Sequence, residues 1–324
     1  MNGLVIGKFM PPHQGHKYLV DFARNYCDKL TVMVCSIQQE PIEGKLRHEW
    51  MKESFPDVNV IHHSAEIPQE PKDHPDFWQI WHDAIYKMLP EGADCLFASE
   101  DYGIRLAEVL GMKYIPATRD VISISGTEIR NNPMKHWDYI LPAAKPYFLK
   151  RVCIFGPEST GKTTIAKNLA AYFKTIAVPE YARGLLDLKG GKCDYEDIEL
   201  IARGQIASED ALARQANRIL FCDTDILTTE IWSDILFGKC PQWIKDTKRD
   251  YDLYLLLDTN VPFVPDSQRY LPDSRQLSLE RCIQELEKKG KKYVIISGNW
   301  EERLEKAKQE AEKLIGKDNI KEIV

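Results

Sequence analysis

No apolar run in this 324-residue chain approaches the ~20 residues that span a bilayer, so no membrane-spanning helix is expected. The N-terminus enters a strand-like segment at once, without the charged region and small-residue cleavage site of a secretory leader. Excess positive charge is missing as well. Lys and Arg number 43 against 49 Asp and Glu, a net charge of −6, so there is no global basic field for nucleic acid. Eight cysteines occur, but none in a CxxC spacing, and several sit inside apolar runs. They read as free, buried thiols of a reducing cytoplasm rather than disulfides or a zinc cage. Internal repeats and low-complexity segments are also absent. What remains, 44% hydrophobic and 28% charged, is the composition of a globular protein long enough for two domains.

Both halves alternate strand-like and helix-like segments. In the first, strands are expected at 4–6, 30–35, 58–62 and 95–98, with helices at 14–28, 45–54, 76–89 and 103–110. In the second, strands are expected at 152–155, 175–178, 219–223, 253–257 and 293–296, with helices at 162–173, 195–216, 225–236, 277–289 and 300–316. Such alternation predicts an α/β fold, a parallel sheet with helices on both faces in each half. Pro133, Pro142 and Pro146 interrupt 131–150, which puts the domain boundary there: 1–145 and 146–324.

Each half opens with a strand that runs into a Gly-containing loop and then a helix. The first reads Gly7-Lys8-Phe9-Met10-Pro11-Pro12-His13-Gln14-Gly15-His16, after Leu4-Val5-Ile6. A helix beginning at Gln14 or Gly15 puts His13 and His16 beside its N-terminal N–H groups, and Gly15 keeps side-chain bulk away. Such donors suit a polyphosphate on which charge builds during attack. Plain helix capping by the two histidines is the alternative. At the far end of the same half, Ile124-Ser125-Gly126-Thr127-Glu128-Ile129-Arg130 offers Ser125 or Thr127 as a helix cap. Arg130 then projects one turn in, where a planar guanidinium can clamp β- and γ-phosphates.

The second motif is far more specific. Gly156-Pro157-Glu158-Ser159-Thr160-Gly161-Lys162-Thr163 follows Val152-Cys153-Ile154-Phe155 and fits GxxxxGK[ST]. Backbone N–H groups from Gly156 to Thr163, with Thr164 beyond, form an anion cradle for ATP. Lys162 reaches the β/γ oxygens and the Thr163 hydroxyl ligates Mg²⁺. The acidic partner that such a site needs stands in Phe221-Cys222-Asp223-Thr224-Asp225, at the carboxyl end of an apolar strand. Asp223 and Asp225 are the metal candidates, Asp225 also being a candidate helix cap. The stretch 259–276 holds three prolines with Arg269 and Arg275 and reads as a long loop suited to a lid.

These motifs together carry a resemblance. [H/T]xGH with ISxTxxR resembles the nucleotidyltransferase superfamily. GKFxPxHxGH with ISGTEIR, followed by Asn132-Pro133 and Trp137-Asp138-Tyr139-Ile140, is similar to bifunctional NadR-type proteins. Those join a nicotinamide mononucleotide (NMN) adenylyltransferase, Rossmann-like in fold, to a P-loop ribosylnicotinamide kinase. The resemblance covers nearly the whole chain. It implies that His13, His16, Ser125, Thr127 and Arg130 bind ATP phosphates, joined by Gly7, Lys8, Phe9 and Gly15. It implies mononucleotide contacts at Arg47 and Trp50. Trp78 and Trp81 could stack on the cationic nicotinamide, although their i, i+3 spacing suits a core face equally well.

In the second half the resemblance points to Pro179-Glu180-Tyr181-Ala182-Arg183 as the acceptor side. Glu180 would take the 5′-hydroxyl proton or bind ribose, Tyr181 would line the site, and Arg183 would bind phosphate. The implied small molecules are ATP with Mg²⁺, NMN and nicotinamide riboside. No nucleic-acid or membrane partner is implied, and a homo-oligomer is left open.

This chain departs from the family pattern. Where many relatives carry a tryptophan before the Glu-Tyr pair it has Pro179, so either another residue stacks there or acceptor binding is weaker. In the lid, Phe263 and Ser267 replace Trp and Gly, while Arg269 is kept. The DNA-binding helix-turn-helix of some relatives is not found ahead of the first domain, so repression is not expected. Two other functions stay open at this point: a fusion like that of ATP sulfurylase with a kinase, and a nucleotide- or NAD-sensing regulator with a degraded kinase.

Overall fold

The computed structural model describes residues 1–99, 102–118, 121–264, 275–316 and 319. Its chain divides into two compact units, Met1–Tyr147 and Phe148–Val324.

In the first unit, β1 (Asn2–Gly7) leads to α1 (Gln14–Tyr26), β2 (Lys29–Cys35), α2 (Gly44–Ser54), β3 (Asn59–His63) and α3 (Phe77–Met88). Then come β4 (Cys95–Ala98), α4 (Tyr102–Leu110), β5 (Lys113–Pro116) and α5 (Gly126–Asn131). A short helix, α6 (Lys145–Phe148), lies where the units join in sequence. All strand pairs are parallel, in the order β3-β2-β1-β4-β5. The apolar runs of the strands follow from burial on two faces. Because side chains alternate along a strand, Val5, Val32, Val34 and Phe97 join one core with Val20 and Ala23 of α1 and Met51 of α2. Leu4, Met33 and Leu96 join the other, with Ile85 of α3 and Leu106 of α4.

The second unit repeats this logic. It runs β6 (Lys150–Phe155), α7 (Lys162–Tyr172), β7 (Ile176–Val178), α8 (Tyr181–Leu188), α9 (Tyr195–Ala213), β8 (Ile219–Asp223) and α10 (Ile226–Phe237). It continues through α11 (Gln242–Asp246), β9 (Leu253–Leu257), α12 (Arg275–Lys288), β10 (Tyr293–Ile296) and α13 (Trp300–Ile315). The parallel sheet has the order β10-β9-β6-β8-β7. In each unit the strand that feeds the phosphate motif is the middle one of five.

Every strand expected from the sequence is present. The additional strand is β5, four residues at a sheet edge of which only Ile115 is buried, too short and too polar for a period-2 pattern. Helices α8 and α11 were likewise not expected. They span eight and five residues, less than a reliable stretch of helical periodicity. All eight cysteines are free, and five of them are buried. Among the described residues no helix is long and apolar enough to cross a membrane.

Trp137 is 2% exposed and lies under the Lys145 ammonium. Trp137→Ala is expected to destabilise the protein by about 3–5 kcal/mol. The urea midpoint should fall with little change in slope.

Candidate functional site

Each unit carries a site at the carboxyl end of its middle strand. In the first, His13 takes the N-cap of α1, and its backbone N–H donates to His16 Nδ1 at 3.3 Å. The two imidazoles stack with centroids 3.7 Å apart, and Phe9 meets His16 edge-on. Phe9 sits in left-handed backbone at φ 47° and is 1% exposed, so the loop wraps around its ring. Gly7 lies against that ring and Gly15 against the His13 ring.

The Ile124–Arg130 segment closes the other side. Ser125 caps α5 and accepts from the Glu128 N–H, while Glu128 accepts from the Ser125 N–H and hydroxyl. Those bonds hold the exposed Glu128 carboxyl below its usual range. Arg130 donates to the Met10 carbonyl and, at 3.0 Å, to Thr127 Oγ1. A Cβ at Gly126 would stand 2.5 Å from the Met10 carbonyl oxygen, so only glycine permits this approach. Two motifs far apart in sequence therefore meet, which brings the N-terminal ends of α1 and α5 to one place. The Trp137–Tyr139 turn buttresses them, because Leu141 donates its N–H to the Pro12 carbonyl and Ile140 bridges His13.

The expected mononucleotide contacts are held by protein groups. Arg47 is fully buried. It donates to the carbonyls of Ile42, Lys8 and Cys35 and pairs with Glu40, so its donors serve the fold. Burial alone would raise the Glu40 carboxyl. The Lys8 ammonium at 2.9 Å and the Arg47 guanidinium outweigh it and hold Glu40 below the usual range. Lys8 is thus engaged with Glu40 while its side chain stays half-exposed. Trp50 is 6% exposed and packs on Tyr147. Trp78 and Trp81 pack on the α3–α4 core, and Trp81 Nε1 donates to the Pro68 carbonyl. Both stay half-buried there.

In the second unit, β6 ends at Phe155 and the loop turns through Gly156 at φ 129° and Gly161 at φ 87°. Gly161 is the N-cap of α7, whose dipole places roughly half a positive charge at that end. Lys162 folds back over the loop, donating to the carbonyls of Gly156 and Pro157 at 3.0 and 2.8 Å. Thr160 is buried and also donates to Pro157. Ser159, at φ 56°, accepts from the Val264 N–H at 2.7 Å. Arg275 donates to the carbonyls of Val261 and Ser159 and lies over the Phe263 ring. Thr164 is exposed on the first turn of α7. Arg269 lies outside the described residues.

Strand β8 pairs with β6 so that Asp223 stands opposite Ile154. The Thr163 hydroxyl donates to Asp223 Oδ2, while Oδ1 is buried without a hydrogen-bond donor among the described residues. Burial raises the Asp223 carboxyl, although the Lys162 ammonium and the Thr163 bond act against it. One hydroxyl and one orphaned carboxylate oxygen beside an anion cradle fit Mg²⁺, which takes few protein ligands and completes its shell with phosphates and water. Among the described residues no three His, Cys, Asp or Glu side chains form a ready cage. Asp225 needs correction as a metal ligand. Its Oδ1 caps α10 by accepting from the Thr228 N–H, its Oδ2 accepts from the Tyr254 hydroxyl, and it is 1% exposed.

Beside the loop opens a cleft of about 880 Å³, counting its mouth. Glu158, Lys162, Glu180 and Arg183 line its charged end. Burial raises the Glu180 carboxyl, Asp223 and Glu158 add to that, and Lys162 and Arg183 offset it. Tyr181 is not among the lining residues. Its ring lies where a Cβ on Gly204 of α9 would be, and its N–H donates to Gln205 Oε1 at 3.0 Å.

A protein-family profile described as an AAA domain matches residues 151–303. The trifunctional NAD biosynthesis/regulator protein NadR of Escherichia coli (strain K12) is 32% identical over 300 residues, covering 84% of this chain and 72% of that protein. The chain belongs to the NadR family. A nicotinamide-nucleotide adenylyltransferase of Thermococcus onnurineus is 26% identical over 161 residues, 46% of this chain and 82% of that enzyme. A solved NadR structure in complex with NR superposes with a TM-score of 0.83 over 97% of this chain and 96% of that one, at 22% identity. NadR therefore supplies the fold of the two units as well as the family.

Sequence reasoning missed Gln205, which lines the cleft, is 2% exposed, and donates to Glu209 and to the Thr224 carbonyl. It ties the α8 N-terminus to the end of β8. A glutamine inside a long helix carries no sequence signal for this. Thr228, Thr229 and Trp232 were missed as well. Their spacing from Asp225 along an expected helix was a readable sign.

Arg47→Met is expected to cost about 3–5 kcal/mol of stability by removing the donor to three carbonyls and leaving Lys8 as the one cation, among the described residues, on the buried Glu40. The check is the thermal midpoint. An unchanged midpoint with a raised KM for the mononucleotide would return Arg47 to the ligand.

Proposed function

We propose that this chain carries out two consecutive steps of NAD salvage. The second unit phosphorylates nicotinamide riboside with ATP. The first transfers AMP from a second ATP to the NMN produced, releasing pyrophosphate and NAD⁺. The observation that carries the reading is the occurrence, in one NadR-family chain, of two different phosphate cradles, each at the carboxyl end of a middle strand. The names of the relatives support it: NAD biosynthesis for the Escherichia coli protein, adenylyl transfer for the Thermococcus enzyme, and a complex with NR for the solved structure.

In the first unit, an NMN phosphate oxygen attacks the α-phosphorus of ATP in line, with no covalent enzyme intermediate. His13, His16 and the N-terminal amides of α1 hold the triphosphate, and Arg130, oriented by Met10 and Thr127, neutralises the departing pyrophosphate. Holding the reactants in register can account for roughly 7–11 kcal/mol of the barrier.

In the second unit, the Gly156–Thr163 loop and Lys162 hold the β- and γ-phosphates. Thr163 and Asp223 would hold Mg²⁺, which when bound neutralises phosphate charge. Glu180 receives the proton of the riboside 5′-hydroxyl, and Arg183 balances charge at the transferring group. Arg269 and Arg275 belong to the lid side of this reading.

His16→Ala should lower adenylyl transfer by about 10²–10³-fold and leave riboside phosphorylation intact, and Lys162→Met should do the reverse. Pyrophosphate and ADP release, followed separately, check this. Loss of both activities from either change would contradict two independent sites.

Glu180 acts as a base only when ionised, and its carboxyl is raised by burial. Kinase kcat/KM should therefore fall as pH drops through that raised value, giving an acid limb above the ordinary glutamate range. Glu180→Gln should remove the limb and about 10²-fold or more of kcat. A pH–rate profile of the two proteins decides it.

A further inference from the structure

The far end of the acceptor cleft has chemistry that the steps above leave unused. Beyond Glu180 and Lys162 its walls turn apolar, with Leu186 of α8, Ile198 and Ile201 of α9, and Leu236 of α10. One aromatic ring, Trp232, stands among the described lining residues. Helix α10 starts at its cap Asp225 beside the phosphate loop and turns Thr228, Thr229, Trp232 and Leu236 toward the cleft, positions that share one helix face. At 1.5 Å per residue, Trp232 sits about 10 Å along the axis from that cap. That length along the helix is roughly the length of a ribose with its ring. Pro179, next to Glu180, is exposed, is not among the lining residues, and offers no π face.

We infer that Trp232, supplied from α10, is the platform on which the acceptor's cationic pyridinium ring stacks. The inference rests on the kinase reading above. An indole face attracts a cation through its quadrupole, more strongly than phenylalanine does and unlike leucine. The apolar walls on α8 and α9 remove water from the ring edge, which strengthens that attraction. Thr228 and Thr229, one turn nearer the phosphate loop on the same face, lie at the level of the sugar. The cleft thus sorts its ligand from end to end: phosphate at the loop, hydroxyls in the middle, charged ring at the tryptophan.

The test uses the full chain with ATP and Mg²⁺. Trp232→Leu should raise KM for nicotinamide riboside about tenfold, while Trp232→Phe should raise it by no more than about threefold. KM for ATP should stay within twofold of the wild type in the two variants, because its cradle is untouched. In addition, riboside should quench part of the tryptophan fluorescence of the wild type, and that part should be missing in Trp232→Phe. The fluorescence result stands even where the leucine variant fails to fold. An unchanged riboside KM in Trp232→Leu, equal losses in the two variants, or the same quenching with and without Trp232 overturns the inference while leaving the kinase reading in place. Absence of riboside phosphorylation by the wild type overturns the kinase reading, and the inference with it.

Discussion

A helix N-terminus opening at the carboxyl end of the middle strand is the constraint on which each unit is built. Parallel strands need crossover helices, and those helices start at the same edge of the sheet. At the middle strand the neighbours on either side leave by opposite faces, so the edge there is a crevice rather than a covered seam. The free N–H groups of α1 and α7 point into it. An anion bound there gains several donors and a positive dipole end without any lysine or arginine having to be buried.

The two units meet this constraint with different residues. In the second, the backbone itself bends into a cradle, and the bend is possible because Gly156 and Gly161 accept positive φ. In the first, the loop folds around the buried Phe9 ring, and stacked imidazoles supply donors that the backbone does not. There the closing element comes from the other end of the unit. Gly126 allows α5 to approach the Met10 carbonyl, and Arg130 spans the gap. One site is thus mostly local in sequence and the other mostly tertiary.

Around each cradle lies a layer of buried polar groups whose partners are other protein atoms. Arg47 with Glu40, Gln205 with Glu209, and Asp225 with Tyr254 each satisfy charges or amides that would otherwise be costly in the interior. Their effect is to hold loops that have little apolar packing of their own. Asp223 differs from Asp225 two positions away in keeping one buried oxygen without a donor among the described residues. That difference separates a carboxylate available to a ligand from one consumed by the fold.

The sequence by itself determined the α/β class, the strands of the two sheets and the location of the two cradles. These depend on local runs of apolar residues and on glycines at fixed spacing, which read the same in any context. It also offered Ser125 or Thr127 as the cap of a helix, of which the structure uses Ser125. Tertiary structure decided which polar and aromatic side chains face a pocket. Arg47 looked like a ligand contact, yet packing turned it inward, and Trp78 and Trp81, which suited core and ligand alike, lie half-buried on the α3–α4 core; Tyr181 was drawn onto α9 by the missing side chain of Gly204. Gln205 and Trp232, unremarked in the chain, came to line a cleft because α9 and α10 cross beside the loop. Periodicity tells which side of a helix is apolar, but burial and a ligand's apolar wall present the same pattern, and only the neighbouring elements distinguish them.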